Sequence, residues 1–131
     1  MDHEKDNIFQ VSVKGLCFNE SGKLLMIREQ SGYWELPGGR IQVNEDLIEA
    51  LKRECLEETG LNCELLDNRP FCVWPALDTN KKPRFYVCYK ISFDNLDFKP
   101  SEECVEMKFF TKSEFAQLHT PPALQKLLEF I

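Results

Sequence analysis

Asn44-Glu45-Asp46-Leu47-Ile48-Glu49-Ala50-Leu51-Lys52-Arg53-Glu54-Cys55-Leu56-Glu57-Glu58-Thr59-Gly60 is the stretch on which the reading of the fold turns. Leu47, Ile48, Leu51 and Cys55 recur at helical spacing, so the pattern predicts a helix from Asn44 to Thr59 with one core-facing stripe. Asn44 is the expected cap. Glu45 and Asp46 fall in the first turn, where the helix dipole favours them, and Gly60 is the expected stop. Glu54, Glu57 and Glu58 stand at i, i+3 and i+4, which gathers three carboxylates within an arc of about 100°. Such like charges repel by about a few tenths of a kcal/mol per pair. A Glu-rich face is often no more than a solvated one, but a hard divalent cation such as Mg²⁺ or Mn²⁺ would remove the penalty. These acids border the apolar stripe, at the edge of the core, and are expected to face a cleft.

Just upstream, Pro37-Gly38-Gly39 reads as a flexible loop whose carbonyls can approach a cation or a phosphate. Arg53 is placed to hold Glu57 or Glu45 by a charge-assisted bond and so to orient the cluster.

Working outward, residues 8–14 alternate, with Phe9, Val11 and Val13 on one face and Gln10, Ser12 and Lys14 on the other. That is the pattern of a half-buried strand. Asn19 to Gly22 reads as a turn, Lys23 to Arg28 as a strand apolar on both faces, and Tyr33 to Leu36 as a further short strand. Residues 62–74 and 84–93 are strand-like, joined by the polar loop Leu77 to Pro83, and Phe85 to Tyr89 is expected in mid-sheet. Val105 to Phe110 is another strand. Ser113 to Leu118 reads as a helical turn capped by Ser113, and Pro121 opens a final amphipathic helix carrying Leu124, Leu127 and Leu128. Strands and helices interleave, which predicts an α/β or α+β fold with a mixed sheet.

The 131 residues suit a single domain, preceded by a polar tail at residues 1–7. Apolar residues make up 43% of the chain and ten are Phe, enough to pack an interior, so a disordered chain is excluded. The longest aliphatic run, Leu24-Leu25-Met26-Ile27, falls far short of a membrane span, and the charged N-terminus does not read as a secretory signal. A soluble, cytoplasmic protein is expected. A net charge of −6 disfavours duplex nucleic acid as a partner, whereas a phosphorylated small molecule is compatible if a metal reverses the local field. The six cysteines form no Cys-x-x-Cys pair and His occurs only at positions 3 and 119, so a zinc site is not expected. Buried thiols in a reducing compartment are. The spacing from Gly15 to Gly22 does not make a phosphate-cradling Gly-x4-Gly-Lys-Ser/Thr loop, and no Ser-His-Asp or calcium-loop pattern is present in the sequence.

The run Gly39-x5-Glu45-x7-Arg53-Glu54-Cys55-Leu56-Glu57-Glu58-Thr59-Gly60-Leu61 resembles the box of the Nudix (MutT-like) hydrolases. Cys55 stands at an apolar position of the box, a mild departure, and Asn44 stands where many relatives carry Gly. The flanks Leu24 to Arg28, Trp34 to Gly39 and Phe109 to Phe115 extend the likeness as a pattern. The resemblance implies an α/β/α sandwich with a mixed central sheet. It also implies Mg²⁺- or Mn²⁺-dependent hydrolysis of a nucleoside diphosphate linked to another moiety, by a pyrophosphohydrolase acting on a small nucleotide such as a nucleoside triphosphate or ADP-ribose. By motif position Glu57 and Glu58 would bind the metal with the Gly39 carbonyl. Glu54 would be a further ligand or the general base, and Arg53 and Glu45 would orient the cluster. Glu102, Glu103 and Glu106 are candidates for a later acid. For substrate, Arg28 and Arg84 are candidate phosphate contacts, as are Arg69, Lys81 and Lys82. Trp34 and Tyr86 are candidate base-stacking residues, as are Phe71, Trp74 and Phe85. The alternative is a domain that binds a nucleotide without cleaving it, which would predict eroded box acids. The chain alone allows a homodimer.

Overall fold

A computed structural model describes residues 8–131; the polar tail at residues 1–7, with His3, lies outside the described residues. The first strand, β1 (Gln10–Leu16), is central. It pairs in parallel with β7 (Pro83–Phe93), Val13 opposite Val87, and antiparallel with β4 (Gly38–Arg40). Along its other edge β7 takes β5 (Cys63–Leu65) beside Ile91 to Phe93 and β6 (Cys72–Leu77) beside Pro83 to Cys88, both antiparallel. The result is a mixed five-stranded sheet in which Phe85 to Tyr89 lies in the middle, as the strand-rich sequence predicts. A second, antiparallel sheet joins β3 (Trp34–Glu35), β2 (Leu24–Arg28) and β8 (Glu106–Phe110).

The two faces of the five-stranded sheet carry different cores. Helix α1 (Leu47–Thr59) packs Leu51 and Cys55 against Val13, Val87 and Ile91. On the other face Leu16, Leu36, Trp74 and Phe110 close against α2 (Lys112–Gln117) and a C-terminal 3₁₀ helix (Pro122–Glu129), which insert Phe115, Leu124 and Leu127. Trp74 anchors this side through an Nε1–H donated to the Ala123 carbonyl at 3.1 Å. Helices thus flank a mixed sheet, in agreement with the expected architecture. All six cysteines are buried thiols, and no helix among the described residues is long and apolar enough to cross a membrane.

Several local expectations are corrected. Strand β1 is not half-buried: Ser12 and Lys14 are buried on its polar face, because that face lies beneath other protein groups rather than water. Gly38 and Gly39 form strand β4 instead of a flexible loop. Helix α1 begins at Leu47. Asp46 caps it by accepting from the Glu49 N–H at 2.8 Å while Glu49 accepts from the Asp46 N–H, a reciprocal box that outcompetes Asn44. Asn44 takes the left-handed backbone at φ 69° and Glu45 lies in the loop before the helix. Gly60 ends the helix in the left-handed region, as expected. Residues 62–74 split into β5 and the start of β6 around the turn-forming stretch Asp67 to Pro70, and β6 runs on through Pro75 to Leu77. Pro75 is tolerated because β6 pairs only with β7, so its missing N–H breaks no second ladder. Thr111, not Ser113, caps α2, with Glu114 completing its box. The final segment is 3₁₀ rather than α, opening with Leu124 N–H bonded to the Pro121 carbonyl at 3.0 Å.

Candidate active site

The acids of α1 meet strand β4. Gly38 N–H donates to Glu58 Oε1 at 2.9 Å, tying the last turn of the helix to the glycine strand. Gly38 sits at φ 126°, where an added Cβ would lie 2.1 Å from the Val13 carbonyl oxygen, so both the backbone angle and the close approach to β1 demand glycine. A Cβ on Gly39 would fall 2.5 Å from the Glu54 carboxyl carbon, so this glycine leaves room for the Glu54 carboxylate. The helix therefore presents Glu58 and Glu54 beside two successive residues of one strand.

Arg53 organises the remaining acids. Its Nε and Nη2 clasp Glu45 at 2.6 and 3.0 Å, its Nη1 reaches Glu54 at 3.0 Å and Glu57 at 3.2 Å, and Nη2 also donates to the Arg40 carbonyl at 3.1 Å. Both proposed partners of Arg53, Glu57 and Glu45, are thus engaged, and the guanidinium bridges the helix, the preceding loop and β4. The Arg53 bonds hold the Glu45 carboxyl below the ordinary carboxylate range.

Glu58 is the buried member, 8% exposed. Burial pushes its carboxyl up to about 8, against the opposing pull of the Lys14 ammonium and the Gly38 N–H. Glu54 and Glu58 line a cleft of about 280 Å³ into which Glu29 and Glu103 also open. Burial and the nearby Glu35 raise the Glu29 carboxyl as well. Among the described residues no three acidic, imidazole or thiol groups converge as a ready-made metal shell; Glu54 and Glu57 are both drawn to Arg53 instead. The donor set is nonetheless all hard oxygen, and its most buried carboxylate, Glu58, is held by a backbone N–H. That chemistry fits a divalent cation of the Mg²⁺ or Mn²⁺ kind.

A family profile described as the NUDIX domain matches residues 8–130. The chain belongs to the NUDIX domain family. It is 42% identical over 59 residues to a MutT-like protein of Streptomyces ambofaciens, a match covering 44% of this chain and 38% of that protein. It is 45% identical over 56 residues to the 8-oxo-dGDP phosphatase of Mus musculus, covering 40% of this chain and 17% of that protein. The matched stretches therefore span well under half the length of these curated relatives. Among solved structures, the MutT protein of Methanosarcina mazei superposes with a TM-score of 0.78 at 23% identity, over 96% of this chain and 94% of that one, which shows a shared fold. An ADP-ribose pyrophosphatase of Streptococcus suis superposes at 0.69 with 25% identity, over 94% and 87% of the two chains.

Within this NUDIX domain the remaining candidates separate. Of the later acids, Glu103 lines the cleft, Glu106 pairs with Arg28 at 3.0 Å, and Glu102 contributes its carbonyl to Gln30. Arg28 and Trp34 do not line the cleft: Arg28 lies over the Trp34 ring, and Trp34 packs edge-on against Phe110 in the second sheet. Arg84 does line it, and also lines an adjoining pocket of about 170 Å³ with Tyr86. Trp74 stacks on Tyr86 in the core, and Phe85 packs against Phe9. Phe71 lies beneath Lys90, and Arg69, Lys81 and Lys82 are exposed. Sequence reading did not single out Lys14, Glu29 or Glu35, all of which prove to stand at or beside the cleft. Lys14 gave no signal, because its place on the polar face of an alternating strand reads as the solvent side.

Proposed function

We propose that this NUDIX domain is a divalent-metal-dependent pyrophosphohydrolase that cleaves a small nucleoside diphosphate derivative. The observation that carries the reading is the buried Glu58 carboxylate, held by the Gly38 N–H beside Glu54 in an acid-lined cleft. Glu54, Glu57 and Glu58, with the Gly39 carbonyl, would hold Mg²⁺ or Mn²⁺. A cation bound there neutralises the diphosphate, lowers the pKa of bound water and stabilises charge developing at phosphorus. The protein's own groups do the rest. Arg53 and Glu45 fix the direction of Glu54 and Glu57, and β4 fixes Glu58. Glu54, adjoining Gly39 and opening to the cleft, is the group to take a proton from the attacking water or to complete the metal's oxygen shell; the pH profile of Glu54→Gln separates the two roles. All four box acids are present, against the reading of a non-cleaving nucleotide sensor.

The relatives named for 8-oxo-dGDP and ADP-ribose support a small nucleotide substrate, either a nucleoside di- or triphosphate or ADP-ribose. The reducing cytoplasm read from the cysteine spacing belongs to the same proposal. The test is incubation with Mg²⁺ or Mn²⁺ and a panel of nucleoside triphosphates and their oxidised forms, ADP-ribose, NADH, dinucleoside polyphosphates and nucleotide sugars. Products are resolved by chromatography beside an EDTA control. Metal-dependent release of a mononucleotide from one member is the expected result; nucleotide binding without turnover across the panel would favour the sensor.

A further inference from the structure

Three cations, Lys14, Arg40 and Arg84, line the acidic cleft, and two of them, Lys14 and Arg84, are anchored by an acid that is not among the groups lining it. Lys14, 7% exposed in the middle of β1, donates from Nζ to the Gly38 carbonyl at 3.2 Å and pairs with Glu35 Oε1 at 3.2 Å. Arg84, near the start of β7, donates from Nε to Asp78 Oδ2 at 3.2 Å. Strands β1 and β7 run parallel with Gln10 opposite Arg84 and Lys14 opposite Cys88, which puts Lys14 and Arg84 on the same face of the sheet. Glu35 and Asp78 line the adjoining pocket, which shares Arg84 with the cleft.

Neither cation is used up by its anchor. An ammonium has three donors and a guanidinium five. Among the described residues Lys14 spends two and Arg84 one. Asp78 itself is fully engaged, since its Oδ1 accepts from the Asn80 and Lys82 N–H groups at 2.8 and 2.9 Å, so it holds the β6–β7 turn and Arg84 together. The cleft thus brings Glu29, Glu54, Glu58 and Glu103 together with two immobilised cations that retain N–H groups.

We propose that Lys14 and Arg84 form a preformed grip for the diphosphate of the substrate. The inference rests on the pyrophosphohydrolase reading and assigns the protein's own groups that hold the polyanion in the acid-lined cleft. A diphosphate entering a cleft lined by four carboxylates is repelled. Fixed cations in the same cleft supply charge-assisted bonds to it, and because Glu35 and Asp78 already hold them in place, little side-chain entropy is lost on binding. The exposed bases Arg69, Lys81 and Lys82 have neither the burial nor the anchoring for this role.

The alternative is that Lys14 merely neutralises Glu35 inside the protein. Lys14→Met/Glu35→Gln removes both charges together and Arg84→Gln/Asp78→Asn does the same at the other pair. Each is titrated calorimetrically in Mg²⁺ with methylenediphosphonate, a diphosphate that carries no base and resists hydrolysis. Mn²⁺ binding is followed separately by electron paramagnetic resonance without any phosphate. The grip predicts that methylenediphosphonate affinity falls about 10- to 100-fold in each double variant, with KM rising in parallel and Mn²⁺ affinity within about threefold of wild type. Should the buried Lys14 variant fail to fold, Arg84→Gln alone, at the half-buried end of β7, carries the same comparison. Affinity within twofold of wild type overturns the grip, as does a wild-type protein that does not bind the diphosphonate. A wild type that hydrolyses nucleotides while its variants bind normally overturns the grip alone. A wild type that hydrolyses nothing yet binds the diphosphonate through Lys14 and Arg84 overturns the pyrophosphohydrolase reading and leaves the grip standing.

Discussion

Gly38 and Glu58 are twenty residues apart in sequence and joined by a 2.9 Å hydrogen bond from the glycine N–H to the carboxylate. Through it an edge strand that pairs with β1 controls the position of the most buried acid of the cleft. The consequences for activity and stability can be separated residue by residue.

Glu58→Gln keeps an oxygen to accept from Gly38 but removes the charge a cation needs, and Glu57→Gln removes the exposed partner. Each should lower kcat by about two orders of magnitude or more, with a thermal unfolding midpoint, measured near pH 5, at or near wild type. Near-normal turnover in both variants would overturn their assignment to the proposed metal site.

The two glycines should fail differently when replaced by alanine. Gly38→Ala forces a Cβ against the Val13 carbonyl at a backbone angle that side chains avoid, and should destabilise the fold by about 1–3 kcal/mol or more in denaturant titration. Gly39→Ala meets only the carboxylate end of the Glu54 side chain. It should leave stability within about 1 kcal/mol of wild type while reducing turnover, because Glu54 is displaced. Equal destabilisation in both would mean that β4 is constrained as a whole.

Arg53→Lys retains a charge and loses the planar fork that touches Glu45, Glu54, Glu57 and the Arg40 carbonyl at once. Turnover should drop about 10- to 100-fold, the range for groups that orient metal-site acids. A lysine variant with wild-type kcat would show that a point charge is sufficient.

In EDTA the buried Glu58 should make stability fall with rising pH. Its carboxyl is raised by burial from the ordinary value of 4.5 to about 8. Between those values the native state therefore binds a proton that the unfolded chain has released, so stability is fully present below about pH 4.5 and is lost as pH rises through about 8. Thermal midpoints measured from pH 5 to 9 should show this slope in wild type and a flatter curve in Glu58→Gln. Equal slopes would mean that Glu58 ionises normally in the fold.

The chemistry of the helix was legible in the chain itself because helical spacing is local. Glu54, Glu57 and Glu58 share a face wherever the helix is placed, the Leu51 and Cys55 stripe names its buried side, and Gly60 marks its end. The strand-rich run Phe85 to Tyr89 likewise announced a central strand. Boundaries were less legible where two caps competed: Asp46 and Thr111 prevailed over Asn44 and Ser113 because each has a Glu three residues on to close a reciprocal box.

What only the tertiary structure decided is which residues from distant strands join those acids at the cleft. Lys14 reads as the outward face of an alternating strand and is buried against Glu35. The glycines read as a loop and are a paired strand, and Arg84, not Arg28, reaches the cleft. The reason is physical. Periodicity determines which side of an element a residue occupies, but the parallel pairing of β1 with β7 and the curl of β4 onto β1 are contacts between segments separated by 24 to 74 residues. Whether a polar face meets water or another charged group is settled only when those segments are brought together.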